Sequence, residues 1–408
     1  MAVIDFKQGS TLVVVSGIPA GDSGTGRFVA HLQERMNALV GRRIKLIARP
    51  ERPATWQIRL WLRQRAYRQV VVEFVRYAWL LSRFLWGVSL VWMKRNQRLV
   101  LLHPQNLGYR LTLSLLETRT RPSLIYLLDS SFFCIASYNH LKGESGPCLR
   151  CLELDFNEVA RNGCKPFPRL DWTALEFAPN LQRLVKSGRV NIAAQNQRQA
   201  KLAQMHFELP SLPRVIGLWT QDWDAVFAEK SWRSDVPPMT YVWDVLFHGH
   251  CLDAKGASWI AGVATRCPEL RFMFPFPKPA WFSAGENCIF VPCSWESGLR
   301  EEIGKARLVV VPSLWSAPIE GALVKSIVWA AAVAVIGNPT SFCDELPEDV
   351  VLKLPADQVA GAERLRRACQ AWRPDVGARE RWIEKFARMK DGFVPDLLSA
   401  ALMDSSNE

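Results

Sequence analysis

The sequence predicts an α/β protein built from two doubly wound parallel sheets, and three observations carry that expectation. Short apolar runs that stop at glycine, proline or polar residues alternate with amphipathic segments of helical period along most of the chain. One stretch, Ala306 to Gly337, holds the whole repeat: an apolar run Leu308 to Val311, a stop at Pro312, a polar turn with Glu320, an amphipathic segment, and a second apolar run, Ala331 to Ile336. A proline-bearing break, Ser231 to Pro238, divides the series in two. The expected domains are residues 1–232 and 233–365, with a C-terminal helix and tail, 366–408, that can cross back to the first domain.

The elements follow in order. Thr11 to Ser16 reads as a buried strand; Gly17, Gly21, Gly24 and Gly26 punctuate a loop before a helix, Arg27 to Leu39. Ile44 to Ile47, Leu99 to His103, Ser123 to Asp129, Val190 to Ala194 and Arg214 to Leu218 continue the strands. After the break come Tyr241 to His248, a helix Ala257 to Cys267, strands Leu270 to Phe274 and Cys288 to Val291, and a short helix Gly298 to Lys305. The Ala306 to Gly337 unit follows, and Ala360 to Lys390 reads as helical. In such sheets ligands bind beyond the carboxyl ends of the strands, where helix N-termini offer N–H groups to a phosphate. Ser313 to Gly321 is therefore placed to hold an anion, with Glu320 at its rim or capping the helix.

The 408 residues, 49% apolar and 22% charged, suffice for two cores and argue against extensive disorder. The first residues lack a basic start, apolar stretch and cleavage site, which places the protein in the cytoplasm, where disulfides are not expected. The net charge of +12 implies an anionic partner. Much of it lies between Trp56 and Arg98, where Arg59, Arg63, Arg65, Arg68, Arg76, Arg83, Lys94, Arg95 and Arg98 face one acid, Glu73. Trp56, Trp61, Trp79, Trp86 and Trp92 are interleaved with them, and the longest uncharged run, Phe84 to Met93, is half the length a bilayer span needs. An amphipathic helix pair lying on an anionic membrane fits these residues. Packing against the sheet and binding of single-stranded nucleic acid use the same residue types, but no nucleic-acid signature accompanies the charge.

Three segments, SGIPAGDSGTGRFVAHL (Ser16 to Leu32), LFHGHCLDAKGASW (Leu246 to Trp259) and VVVPSLWSAPIEGALVKS (Val309 to Ser326), carry a family resemblance. Together with two α/β domains they resemble the GT-B glycosyltransferases, specifically the nucleotide-sugar-dependent retaining enzymes of family 4. The resemblance implies two Rossmann-like domains facing a cleft. It also implies a nucleotide-sugar donor held mainly by the second domain and an acceptor on the side of the first. Lys255 matches the family's diphosphate lysine, Gly256 the glycine beside it, and His250 stands where the family has arginine. Ser313 and Gly321 belong to the proline-serine loop. The family's two glutamates, with seven residues between them, fall on Ala317 and Lys325, which leaves Glu320 as the nearby carboxylate and Lys325 as a further phosphate contact. After the fourth strand the family's histidine-aspartate pair is reduced to Asp129, with His103 an alternative pocket residue. Gly17, Gly24 and Gly26 belong to the N-terminal loop on the acceptor side. No catalytic metal is expected, because cations and helix N-termini take the charge of the leaving diphosphate.

Cys134, Cys148, Cys151 and Cys164 follow Asp129 closely, two of them as the C-L-R-C of GPCLRC. Four thiolates on turns suit a closed tetrahedral site, with zinc the default and an iron–sulfur cluster equally allowed by spacing; a redox pair or unrelated thiols remain open. The expected function is a retaining glycosyltransferase acting on an envelope polysaccharide or lipid-linked acceptor, cytoplasmic and peripheral on the inner face of the cell membrane. An inactive homologue that binds sugar or nucleotide, and a nucleic-acid-binding protein, are the alternatives.

Overall fold

The structure, a computed structural model, describes residues 12–21, 24–40, 44–167, 171, 173–229, 241–283 and 285–403. The expected linker, Ser231 to Pro238, lies outside them. The first sheet contains β1 (Leu12–Ser16), β2 (Ile44–Ala48), β3 (Arg98–Leu102), β4 (Ser123–Tyr126), β5 (Val190–Ala194) and β6 (Arg214–Val215), in the order β2-β1-β3-β4-β5-β6. The second contains β7 (Trp243–Phe247), β8 (Phe272–Phe274), β9 (Cys288–Phe290), β10 (Ala306–Val311), β11 (Val333–Ile336) and β12 (Leu352–Leu354), in the order β12-β11-β10-β7-β8-β9. Every pairing is parallel, for example Val14 with Leu46 and Val100, and Val309 with Leu246 and Val333.

Strands buried on both faces need apolar residues at successive positions, and β1 shows the division. Leu12 and Val14 join one core cluster, while Val13 and Val15 join the cluster on the opposite face. The first of these clusters runs on through both domains, because the helices Gln221–Ala228, Val376–Ala387 and Met389–Leu402 fill the space between the sheets. Trp219, Trp223, Phe227 and Phe386 pack there with ring centres 5.0–6.1 Å apart, Phe227 stacked on Phe386. The last helix lies on the first sheet: Phe393 sits 5.6 Å from Phe28 and 6.1 Å from Tyr126, and the Arg98 guanidinium donates to the Ala401 carbonyl at 3.2 Å.

Several elements are shorter than the apolar runs imply. β4 ends at Tyr126 although the run reaches Asp129, and β6 has two residues where five were expected. In β6 the run continues as Ile216 to Leu218, but Gly217 takes a φ of +85° and turns the chain away. The expected helix from Ala360 is three helices, Gln358–Ala371, Val376–Ala387 and Met389–Leu402, because Pro374 stops the first.

The basic segment forms a projecting pair, Thr55–Arg63 and Tyr67–Met93. The first helix buries no residue, and the second buries only Phe84, Gly87, Val88 and Val91, all near its C-terminal end. Among the described residues no helix is long and apolar enough to cross a membrane.

Candidate functional site

The carboxyl ends of the two sheets meet. Gly17 follows β1 directly, and its N–H donates to the Leu102 carbonyl at 2.9 Å. A side chain there would overlap the His103 and Leu107 backbone, so only glycine lets the two loops touch. Gly24 opens the helix Gly24–Val40, with open space where a Cβ would stand, and the Gly26 carbonyl accepts from the Gly21 N–H at 3.3 Å. One turn on, Arg27 reaches across the cleft to Glu296 at 2.5 Å.

The loop after β4 makes another crossing. Asn139, fully buried, donates through Nδ2 to Ser316 Oγ at 2.9 Å and accepts the Ser316 N–H at 3.0 Å. His140 Nε2 lies 3.3 Å from Asp253 Oδ2, and Tyr138 meets Trp315 edge-on at 4.6 Å.

At this seam sits the cluster the sequence singled out. Lys255 closes a short helical turn, Asp253–Lys255, after β7; Gly256 then takes a φ of +78°, where a Cβ would collide with the Pro312 carbonyl. That close approach brings the Lys255 ammonium to Glu320 Oε1, in a short ion pair, with Ser313 Oγ donating to the same oxygen at 2.9 Å. The ammonium also lies over the Trp315 ring at 4.7 Å and the Tyr138 ring at 5.4 Å. Glu320 occupies the N-cap position of the helix Gly321–Trp329, yet its carboxylate caps nothing and belongs to Lys255. His250 stands at the rim; partial burial of its ring, then the Lys255 charge, hold its pKa below the usual imidazole value.

Lys325 lies apart from this group. Its ammonium pairs with Asp222 Oδ2 at 2.5 Å and rests on the Trp295 ring at 4.7 Å. Asp222 also takes Arg27 at 2.9 Å. Burial works against the charge on both partners, lowering the Lys325 pKa; at Asp222 the pull of Lys325 and Arg27 overcomes it and keeps the carboxyl below its ordinary range. Here the charge of the lysine is taken by a protein carboxylate, as that of Lys255 is by Glu320.

Between the two groups lies His248. Ser326 donates its hydroxyl to the Ala322 carbonyl at 2.8 Å, so at 2.9 Å it must accept the proton of His248 Nδ1. Burial, then Lys325 and His250, push the His248 pKa down to about 3.

On the first domain, Asp129 is held from both sides: Gln105 Nε2 donates to Oδ2 at 2.5 Å and the Ser131 N–H to Oδ1 at 2.9 Å. His103 is left-handed at φ 55°, and its buried Nδ1 has no hydrogen-bond partner. Burial lowers its pKa, with Asp129 opposing. The two line a cavity of about 10 Å³, room for about one water.

Cys134, Cys148, Cys151 and Cys164 are free thiols, three of them packed on one apolar cluster of the first domain. Burial first, then neighbouring sulfurs, push the Cys134 pKa far up, Cys151 to about 11 and Cys164 upward. Among the described residues no group of three or more His, Cys, Asp or Glu side chains is arranged to hold a metal ion.

Sequence reasoning missed Arg27, Asp222, Glu296, Tyr138, Asn139 and His140. Arg27 lies inside the quoted glycine loop, and His248 inside the segment around Lys255. The cross-cleft partners carry no local signal, since Arg27 and Glu296 are 269 residues apart.

Two parallel-sheet domains joined at their carboxyl edges define a protein of GT-B fold. No family model and no curated protein match the sequence. The chain is similar in structure to α,α-trehalose 6-phosphate synthase from Burkholderia multivorans, at 12% identity and TM-score 0.53, over 96% of this chain and 98% of that one. It is similar to Anabaena HepE in complex with UDP-glucose at 11% and 0.51, over 95% and 99%. A glycosyltransferase from Rickettsia africae matches at 10% and 0.50, over 98% and 100%.

Proposed function

We propose that this protein is a retaining glycosyltransferase that takes a sugar from a nucleotide-sugar donor. The observation that carries the reading is the Lys255 ammonium, paired with Glu320, which Ser313 also holds, beneath Trp315 where the two sheets face each other. Such a cation in a cleft of low dielectric stabilises the diphosphate as the bond from the sugar C1 to its oxygen breaks. The acceptor hydroxyl adds to C1 on the face the diphosphate leaves, and its proton passes to the departing phosphate oxygen. Without donor the lysine is neutralised by Glu320, so the diphosphate must displace that carboxylate, which then becomes free to take a sugar hydroxyl. His250 and the Ser313 to Gly321 loop line the donor side, and Gly24, Gly26, His103 and Asp129 the acceptor side.

The acceptor in this reading is lipid-linked or an envelope polysaccharide, because the projecting helices expose tryptophans among arginines, which suits the inner face of an anionic membrane. The cysteine loop would contract around a structural zinc ion or an iron–sulfur cluster, whose charge would offset the cost of ionising buried thiols. One observation favours a second reading, an inactive homologue that binds donor without turnover: Ala317 and Lys325 stand where the related enzymes carry carboxylates, and Lys325 is locked to Asp222.

The test is a thermal-shift panel with UDP, GDP, ADP and their sugar conjugates. One nucleotide family should raise Tm by several degrees, and Lys255→Ala should abolish the shift. Folded protein that responds to no nucleotide would sink the transferase reading, whereas binding without sugar transfer would favour the inactive homologue.

A further inference from the structure

Beside the foot of the projecting helix Tyr67–Met93 lies an open groove of about 490 Å³, distinct from the Lys255 cleft. Leu81, Phe84 and Leu85 form one wall and Leu107 and Leu111 the other. A volume of this size is in the range of small-ligand sites, and its walls are mostly apolar. The polar residues stand at positions suited to one end of an amphiphile: Arg49, which immediately follows β2, and Arg110, on the helix Tyr109–Glu117. Arg110 is exposed and has no ion-pair partner among the described residues. Arg49 donates to the Asn106 and Leu107 carbonyls at 2.7 and 3.2 Å, which fixes its guanidinium beside the groove. The one carboxylate present, Asp171, is already used: it accepts the Tyr109 N–H at 3.1 Å and the Thr173 N–H at 3.0 Å.

Position adds a second argument. Leu107 and Gly108 follow His103, and Arg49 follows β2, so the groove opens at the carboxyl edge of the first sheet, the edge that carries His103 and Asp129. Its outer wall continues into the apolar helix, where Val75 is 63% exposed, Trp79 55%, Leu85 52% and Trp86 67%. Apolar surface of that extent needs a cover. Arg59, Arg63, Arg68, Arg76 and Arg83 on the same helix pair match an anionic lipid surface, and Arg83 lies over the Trp79 ring at 4.7 Å, as a cation held at a headgroup level would.

We infer that this groove binds the apolar chain of a membrane lipid phosphate, with Arg110 and Arg49 facing the phosphate. This deepens the reading of a lipid-linked acceptor and rests on it. The chain enters from the bilayer along the exposed helix, and the phosphate end comes to rest near the acceptor side of the cleft. The arginines set the depth at which the amphiphile stops.

The experiment is calorimetric titration of the whole protein with dodecyl phosphate below its micelle concentration, alongside dodecanol and inorganic phosphate. Leu85→Glu is chosen because the site is half exposed and tolerates a charge without loss of fold; Arg110→Ala removes the phosphate contact. Dodecyl phosphate should bind at least about tenfold more tightly than either half-molecule, and each substitution should weaken it by about tenfold. Equal binding of dodecanol, or binding untouched by Leu85→Glu, would overturn the groove. So would retention on anionic vesicles without any binding of dodecyl phosphate, which would leave only a membrane-docking helix. Nucleotide shifts measured on the same samples separate the two claims: donor binding without dodecyl phosphate binding removes the groove and spares the transferase, and the reverse does the opposite.

Discussion

Lys255 has two competitors for its charge, a carboxylate of the same domain and the incoming diphosphate. Glu320→Gln keeps the hydrogen-bonding shape and removes the negative charge, so Lys255 should be freed for phosphate. Nucleotide affinity should then rise a few-fold while transfer falls by about 10²-fold or more, a split between binding and turnover that isothermal binding and steady-state assays would register. A fall in both together would mean that Glu320 only positions the lysine. Glu320 could be found in the sequence because strand, turn and helix signals fix where a βα loop opens, whereas Lys255 and Gly256 were found by their match to the motif of the resembled family. The fate of Lys325 could not. Its partner, Asp222, sits 103 positions earlier on a helix that only the completed topology brings beside it.

Among the elements, the strands were legible and their ends were not. An apolar run reports burial, and burial continues past the last ladder bond, as at Leu127, which is buried beyond the end of β4. β12, three residues long, gave no signal of its own because Leu352 to Leu354 is too short to show a period. The cysteine loop, Ser130 to Cys164, was recognised by spacing, and the structure adds that it carries Tyr138, Asn139 and His140 to the other domain. If it holds a metal, elemental analysis of the native protein should find about one zinc per chain, lost in Cys148→Ser with Cys151→Ser and accompanied by weaker nucleotide binding. Iron with visible absorbance would select the cluster instead. Protein free of both metals would leave the thiols as core residues.

For the molecule as a whole, acid is a condition that works against the fold. Five of the six histidines, His31, His103, His206, His248 and His250, have lowered pKa values, in each case through burial first. Above pH 6.5 these rings are neutral folded or unfolded and cost nothing. Below it the unfolded chain takes up protons that the folded chain refuses, so stability present at neutral pH is lost as pH falls; for His248 the loss continues toward pH 3. Between pH 6.5 and 5, His248 alone should account for about 2 kcal/mol, measurable by urea unfolding at the two values, and His248→Gln should flatten the curve. A stability that is level over this range would contradict the burial of these rings. The two sheets themselves were predictable, since parallel strands covered on both faces must read as apolar runs. The single core that runs through both domains was not, because it is made by helices from distant parts of the chain. The helix Met389–Leu402 gives that core a temporal consequence. The first sheet is complete in sequence at Val215, but Phe28 and Tyr126 find their cover in Phe393 only after about 180 further residues. At ribosomal rates this is an interval of about 10–40 s, during which the nascent first domain exposes the face that its own C-terminal helix later closes.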